Sequence, residues 1–294
     1  MKKKIVLGTA QFSGDYGITE KKNKISKKEI HKILKTLLSE NLNHLDTSLE
    51  YKNSFNKIKS FNFKNWQITT KLSPRKLNFS SEKNLYLSVE NEINNIKKKL
   101  SVKNIKNLLI RNSDIFLTKK GKILFKVLKK IKKKKLIKNF GYSIYNFQTL
   151  EKIIITCKPD LIQCPYSILD RRIENVQIIN LLKKKKIKIQ ARSIFLQGIL
   201  LRKVGQLPTF FHKWKKIFLN FEKILEINKL SALSMCLNYV INNKNIDEIL
   251  VGVQNENELK QLLNLKKKKK ILINNKYLIV KSLTLLDPRK WKNV

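Results

Sequence analysis

Eight short runs of β-branched and apolar residues alternate along this chain with longer segments whose apolar positions recur every three or four residues. The strand-like runs are Lys4–Ala10, Asn43–Ser48, Gln67–Lys71, Ile105–Ile110, Ile137–Ser143, Leu161–Tyr166, Ile187–Ser193 and Glu248–Gly252. The clearest helix opens at Ser80-Ser81-Glu82 and carries Leu85, Val89, Ile93, Ile96 and Leu100 on one face. Ser26, with Glu29 three residues on, is a capping box that predicts a helix to about Glu40. A strand-then-helix repeat without a break in composition implies one domain, residues 1–294, built on a parallel sheet. An open doubly wound sheet alternates in the same way. Eight units fit a closed (β/α)8 TIM barrel better, and no Gly-x-Gly-x-x-Gly follows any strand to mark the dinucleotide site of the open fold. Before the helix opened by Ser26 lies a two-glycine loop, Ser13-Gly14-Asp15-Tyr16-Gly17, and a polar tail from about Ile271 to Trp291 closes the chain.

Charge is the anomaly of the composition. Lys and Arg number 64 against 21 Asp and Glu, a formal net of +43. Basic clusters mark a nucleic-acid or membrane-surface partner when they form a patch beside recognition chemistry. Here nearly all the excess is Lys, whereas Arg is the preferred residue for bidentate phosphate and base contacts. The runs Lys132–Lys135, Lys183–Lys186 and Lys266–Lys270 close apolar-periodic segments, where a helix C-terminus tolerates cations. No specific nucleic-acid partner is therefore expected; a polyanion-binding protein is the alternative. The opening Met1-Lys2-Lys3-Lys4 resembles the head of a signal peptide, but the apolar run behind it is short and broken by Gly8 and Gln11. No stretch reaches membrane-spanning length, so a cytoplasmic protein without a membrane partner is expected. Cys157, Cys164 and Cys236 form no CxxC pair, and His31, His44 and His212 show no ligand spacing with them, so no metal site is expected.

In a barrel of this kind the residues at strand C-terminal ends face the active site. That rule selects Asp46, Lys71, Arg111 and Ser143, with Gln163 inside the sixth strand and Arg192 near the end of the seventh. Asp46 and Lys71 end neighbouring strands and can pair, which a charge at a barrel mouth requires. A Lys ammonium near Tyr51 would favour the phenolate and make the phenol a better proton donor. From spacing alone, a plain buried Asp–Lys pair with Tyr51 as a loop aromatic is an equally open reading. His44, two before Asp46 on the same strand face, reads as a satisfied core histidine. His212 and Trp214, in the long connection after strand seven, read either as substrate-pocket residues or as helix packing.

Asp46-Thr47-Ser48-Leu49-Glu50-Tyr51 resembles the Asp-Thr-Ala-x-x-Tyr motif of the aldo-keto reductases. Further segments are similar to that family in order along nearly the whole chain. They are Leu7-Gly8-Thr9-Ala10-Gln11-Phe12, Thr70-Lys71-Leu72, Gly141-Tyr142-Ser143, Ile162-Gln163-Cys164-Pro165-Tyr166-Ser167, Ala191-Arg192-Ser193 through Leu200, and Val251-Gly252-Val253-Gln254-Asn255. The resemblance implies a (β/α)8 enzyme that reduces a small carbonyl or sugar substrate with hydride from NADPH or NADH, without a metal. It implies Tyr51 as general acid, Lys71 as the group that tunes it, and Asp46 as the carboxylate holding Lys71. Gln163 and Ser143 would hold the carboxamide, and Gly8, Thr9, Arg192, Ser193, Gly252, Gln254 and Glu258 would line the rest of the cofactor site.

The departures from that pattern are specific. Arg111 stands where the family places a catalytic histidine, and a guanidinium is always charged and only donates. It could hold an anionic substrate oxygen or the developing alkoxide, or it could crowd Tyr51 and leave a cofactor-binding relative without turnover. Ile144 stands where Asn is frequent, and Arg192 where many members place an aromatic against the nicotinamide. Gln254 and Glu258 occupy positions often basic in NADP-dependent members, so NADH is expected to be at least competitive.

Overall fold

Alternate residues of a strand point to opposite faces of the sheet, one toward the helices and one into the barrel, and this decides the architecture. The computed structural model describes residues 4–13, 25–265, 271 and 278–291. The glycines of the loop at 14–17, the lysine run 266–270 and the first three residues lie outside them. Eight parallel strands close into a barrel in sequence order: β1 Ile5–Gly8, β2 His44–Asp46, β3 Gln67–Leu72, β4 Ile105–Ile110, β5 Ile137–Ser143, β6 Leu161–Pro165, β7 Lys188–Arg192 and β8 Glu248–Val251. The barrel closes where Ile5, Val6 and Leu7 pair with Ile249, Leu250 and Val251. Ten helices accompany them among the described residues: α1 Lys27–Ser39, α2 Lys52–Ile58, α3 Glu82–Leu100, α4 Lys119–Lys133, α5 Leu150–Thr156, α6 Val176–Lys184, α7 Lys215–Asn228, α8 Ala232–Asn242, α9 Glu256–Asn264 and the short α10 Leu283–Leu286.

One set of strand residues, including Leu45, Ile68, Leu108, Phe140, Ile162, Ile189 and Ile249, joins the helix faces in a single continuous core. The helices meet it with the residues their periodicity selects; α3 buries Leu85, Val89, Ile93, Ile96 and Leu100. Their ends follow local chemistry. Ser26 accepts from the N–H of Glu29, and Ser81 from that of Asn84. Helix exits that commonly use glycine use Ser101, Lys135, Lys186 and Lys229 in the left-handed region instead. Helix α5 starts at Leu150, after a turn in which Asn146 takes the N–H of Gln148.

The other set of strand residues fills the barrel, and it is polar where branched apolar layers are usual. His44 bonds Thr69 Oγ1 at 2.8 Å, Asn107 donates to the same hydroxyl, and Asn139 donates to Asn107. At the N-terminal end Lys106 and His44 meet Glu248. His44 is thus a satisfied interior residue. The carboxyl of Glu248 is pushed up by its burial but pulled down further by the hydrogen bonds and charges of His44 and Lys106, to about 2.

A second, smaller core stands over one side of the barrel mouth. Phe211, Phe218, Leu196, Ile199 and Met235 pack there with Leu278, Leu285 and Leu286. The tail expected to be polar therefore contributes an apolar strap: Trp291 meets Phe211 edge-on at 4.9 Å and donates its indole N–H to Thr284 O at 2.9 Å. Among the described residues, no single helix is long and apolar enough to cross a membrane.

Candidate active site

Strand β2 ends on Asp46, and its register against β3 sets Asp46 beside Thr69, two residues before Lys71. Lys71 Nζ reaches the Asp46 carboxylate in an ion pair whose members are 6% and 2% exposed. Each charge compensates the other there, since an unpaired buried ion costs several kcal/mol. The second Asp46 oxygen accepts from Gln163 Nε2 at 2.8 Å. Tyr51 follows five residues behind Asp46, directly ahead of α2, and the Lys71 ammonium sits 5.6 Å from its ring centroid. Asp46, Lys71 and Tyr51 are brought together as expected.

Arg111 follows the last residue of β4 and flanks the same ring, its guanidinium 5.5 Å from the Tyr51 centroid. Its Nε lies 2.9 Å from the Glu50 carboxylate, an ion-pair contact without a hydrogen bond along Nε–H. A terminal nitrogen reaches Ser48 Oγ at 3.5 Å. The loop that carries Tyr51 thus also carries the groups that hold Arg111.

A cavity of about 660 Å³ opens above these residues at the C-terminal mouth of the barrel. Asp46, Tyr51, Lys71 and Arg111 line one end. Gly8, Ser143, Gln163, Arg192 and Ser193 line its floor and side. Gly252, Gln254 and Glu258 line it around β8 and α9. Thr9 is the exception among the sequence-selected residues. It is fully buried outside the cavity, where its hydroxyl donates to Thr47 and its carbonyl accepts from Ser54, so it braces the β1 and β2 loops. His212 and Trp214 also lie outside the cavity: His212 bonds Leu207 O, and Trp214 packs on the second core.

Arg192 donates to Ile144 O at 3.0 Å and to Ser193 Oγ at 3.1 Å, and its guanidinium lies 4.0 Å from the Tyr145 ring centroid. Arg289, from the apolar strap, approaches the same ring at 3.6 Å, so Tyr145 sits between two guanidinium groups. Glu258 is the third residue of α9. Its carboxylate accepts from the Gln254 N–H at 2.8 Å while its own N–H donates to Asn255, a reciprocal cap.

Several contributors escape a reading by strand ends. Gln190 and Glu248 lie deeper on the inward faces of β7 and β8; Gln190 is two residues below Arg192, where a period-two count would have found it. Tyr145 and Arg289 are 144 positions apart in the chain's numbering, and no local pattern pairs them. Gln11 lies across Gly252, its side-chain oxygen buried and without a partner.

The closed parallel barrel, with its charged pair and tyrosine gathered at the C-terminal mouth, defines the (β/α)8 class with a site in the position that class uses. Within it the chain belongs to the aldo/keto reductase family, whose model matches residues 4–272. Solved structures agree on the fold. An aldo-keto reductase of Bacillus halodurans in its holo form superposes with a TM-score of 0.69 at 13% identity, covering 94% of this chain and 90% of that one. A glycerol dehydrogenase of Gluconobacter oxydans gives 0.65 at 17% identity, with 91% and 87% covered. An aldo-keto reductase from a Medee basin deep-sea metagenome gives 0.62 at 16%, with 97% and 94% covered. No curated protein sequence matches the chain.

Proposed function

We propose that the protein is a nicotinamide-dependent oxidoreductase that reduces the carbonyl of a small aldehyde, ketone or sugar to an alcohol. Family membership supports an oxidoreductase, and the observation that carries the finer reading is the buried Asp46–Lys71 pair beneath Tyr51 at one end of the cavity. The cofactor fit rests on an orphaned atom. Gln163 commits Nε2 to Asp46 and Gln190, and its Oε1 is buried without a partner on a cavity-lining residue. A carboxamide N–H is the group that acceptor lacks. Ser143, at the end of the neighbouring strand, offers a hydroxyl beside it.

The reduced nicotinamide ring supplies the hydride. Tyr51 donates its phenolic proton to the carbonyl oxygen as negative charge develops there. Lys71 faces the ring of Tyr51 and stabilises the phenolate left behind, and Asp46 pairs with that ammonium and fixes it inside the barrel. Arg111, whose guanidinium also lies against the Tyr51 ring, donates to the same substrate oxygen.

Following nicotinamide absorbance with a panel of aldehydes, ketones and sugars tests this directly. Tyr51→Phe is expected to lower kcat by about 10²–10⁴-fold with cofactor affinity unchanged. A phenylalanine variant as fast as the parent would sink the assignment. A second reading, a cofactor-binding protein without turnover, rests on Arg111 flanking the Tyr51 ring; tight NADH binding with no oxidation by any carbonyl would favour it.

A further inference from the structure

We infer that Glu248 is a positioning residue for the carboxamide site, acting through Gln190 to fix which end of the Gln163 amide is presented to the cavity. This rests on the cofactor reading above and adds residues at the far end of the barrel to it. The reasoning starts from donor and acceptor inventories. A carboxylate only accepts, whereas a primary amide donates at one end and accepts at the other. Glu248 engages Lys106 at 2.9 Å and His44 at 3.4 Å through Oε1, and its Oε2 accepts from Gln190 Nε2 at 2.8 Å. With its nitrogen committed to Glu248, Gln190 must turn its carbonyl toward Gln163, and Gln163 Nε2 meets it at 2.5 Å. The same nitrogen donates to Asp46 at 2.8 Å.

Two carboxylates therefore terminate a chain of two amides, and only one polarity of the chain pairs every contact. Reversing Gln190 would set its N–H₂ against that of Gln163 and its carbonyl against the Glu248 carboxylate. Reversing Gln163 would turn its carbonyl on Asp46. Gln163 and Gln190 are 0% and 1% exposed, so no water replaces a lost partner cheaply. The consequence at the cavity is definite: both N–H bonds of Gln163 are used, and its Oε1 is the open group. The site selects a donor, which a carboxamide N–H₂ supplies. The depressed carboxyl of Glu248 agrees with this, since it remains an acceptor throughout the neutral range.

The test separates the nicotinamide end of the ligand from the rest. Dissociation constants for NADH and for ADP-ribose, which lacks the nicotinamide, are measured by calorimetry on the full chain. Gln190→Leu removes the middle link and leaves the Glu248, Lys106 and His44 cluster whole. It is expected to weaken NADH about fivefold to tenfold and to leave ADP-ribose unchanged. Glu248→Met, which offers Gln190 no acceptor, is expected to follow it. Thermal melts report whether each variant folds, and Gln190→Leu decides the matter if Glu248→Met does not. NADH and ADP-ribose weakened in parallel, or NADH unchanged in Gln190→Leu, overturns the relay. A parent that binds neither NADH nor NADPH overturns the cofactor reading itself, and the relay with it.

Discussion

Arg111 and Glu50 lie in ion-pair contact at 2.9 Å beside Tyr51, so the cation against the Tyr51 ring is held by an anion of its own site. The pairing draws the guanidinium toward the loop and compensates its charge. Lys76 lies 3.6 Å from the other Glu50 oxygen, so Glu50 keeps a partner when Arg111 is lost.

Under the proposed role of Arg111, its pairing with Glu50 is expected to mask anion selectivity in the parent. Glu50→Gln unmasks it: kcat/KM for carbonyl substrates bearing a carboxylate is expected to rise roughly tenfold relative to neutral aldehydes. Adding Arg111→Ala to Glu50→Gln is expected to abolish that preference, and Arg111→Ala alone to lower kcat/KM for both classes by about tenfold or more. Steady-state kinetics on a matched pair, one keto acid and one neutral ketone, measures both effects. Equal ratios in the parent and every variant would exclude Arg111 from substrate contact.

The Asp46–Lys71 pair is buried almost completely, which makes it a stability element as well as a site. Lys71→Met leaves the Asp46 carboxylate with Gln163 as its remaining side-chain partner and no counter-charge. Denaturant unfolding should show a loss of about 3–5 kcal/mol. The double variant Lys71→Met, Asp46→Leu should recover much of it, because removing both charges removes the desolvation cost. A single variant as stable as the parent would mean that water reaches the pair.

How far these residues could be read in advance follows from the range of each physical signal. Asp46, Lys71 and Ser143 sit at strand ends, and period-two alternation within a strand is enough to point them inward. Arg111 follows the same rule, but its partner Glu50 belongs to a loop whose path no periodicity specifies. Thr9 falls in a matching segment and yet turns away, because its hydroxyl finds Thr47. The tail shows the same limit: residues 278–286 are mostly apolar, but no local pattern says what they pack against, and the aromatic cluster around Phe211 makes Leu278, Leu285 and Leu286 core. Register within an element was legible, whereas contacts between distant loops were not.

Glu248 gives a pH signature. Its carboxyl is lowered from the ordinary glutamate range to about 2 in the folded chain, where the partners His44 and Lys106 outweigh the effect of burial. A depressed carboxyl adds stability above its unfolded value, about 4.3, and that contribution is lost as pH falls toward 2. Urea unfolding should lose roughly 2–3 kcal/mol from this group over that window. Glu248→Gln should lower stability at neutral pH and flatten this part of the profile. Identical acid profiles for parent and variant would remove Glu248 as the source.

Around α9 the charge is unfavourable for a 2′-phosphate. Glu258 lines the cavity with its carboxylate fixed by the Gln254 N–H, and Gln254 beside it is neutral. NADH is expected to bind at least as tightly as NADPH. Gln254→Arg should improve NADPH by about tenfold and leave NADH within a small factor, since a guanidinium pairs well with phosphate. Titrating both cofactors against parent and variant checks it, and a parent that binds only NADPH contradicts it.

Two glycines distinguish a close approach of backbone from one of side chain. A Cβ on Gly141 would lie 2.3 Å from the carbonyl oxygen of Leu161 on the neighbouring strand. That backbone is fixed by the β5–β6 ladder and cannot withdraw. A Cβ on Gly252 would instead meet Gln11 Oε1 at 1.9 Å, the far end of a flexible side chain whose oxygen has no partner to lose. Gly141→Ala should therefore cost about 1–3 kcal/mol or more through overpacking, while Gly252→Ala should cost little. The displaced Gln11 has the cavity as its open direction, so Gly252→Ala should weaken cofactor binding while the unfolding midpoint stays near that of the parent. Thermal melts paired with binding isotherms separate the two, and a Gly252→Ala variant that unfolds like Gly141→Ala would show that Gln11 is locked in place.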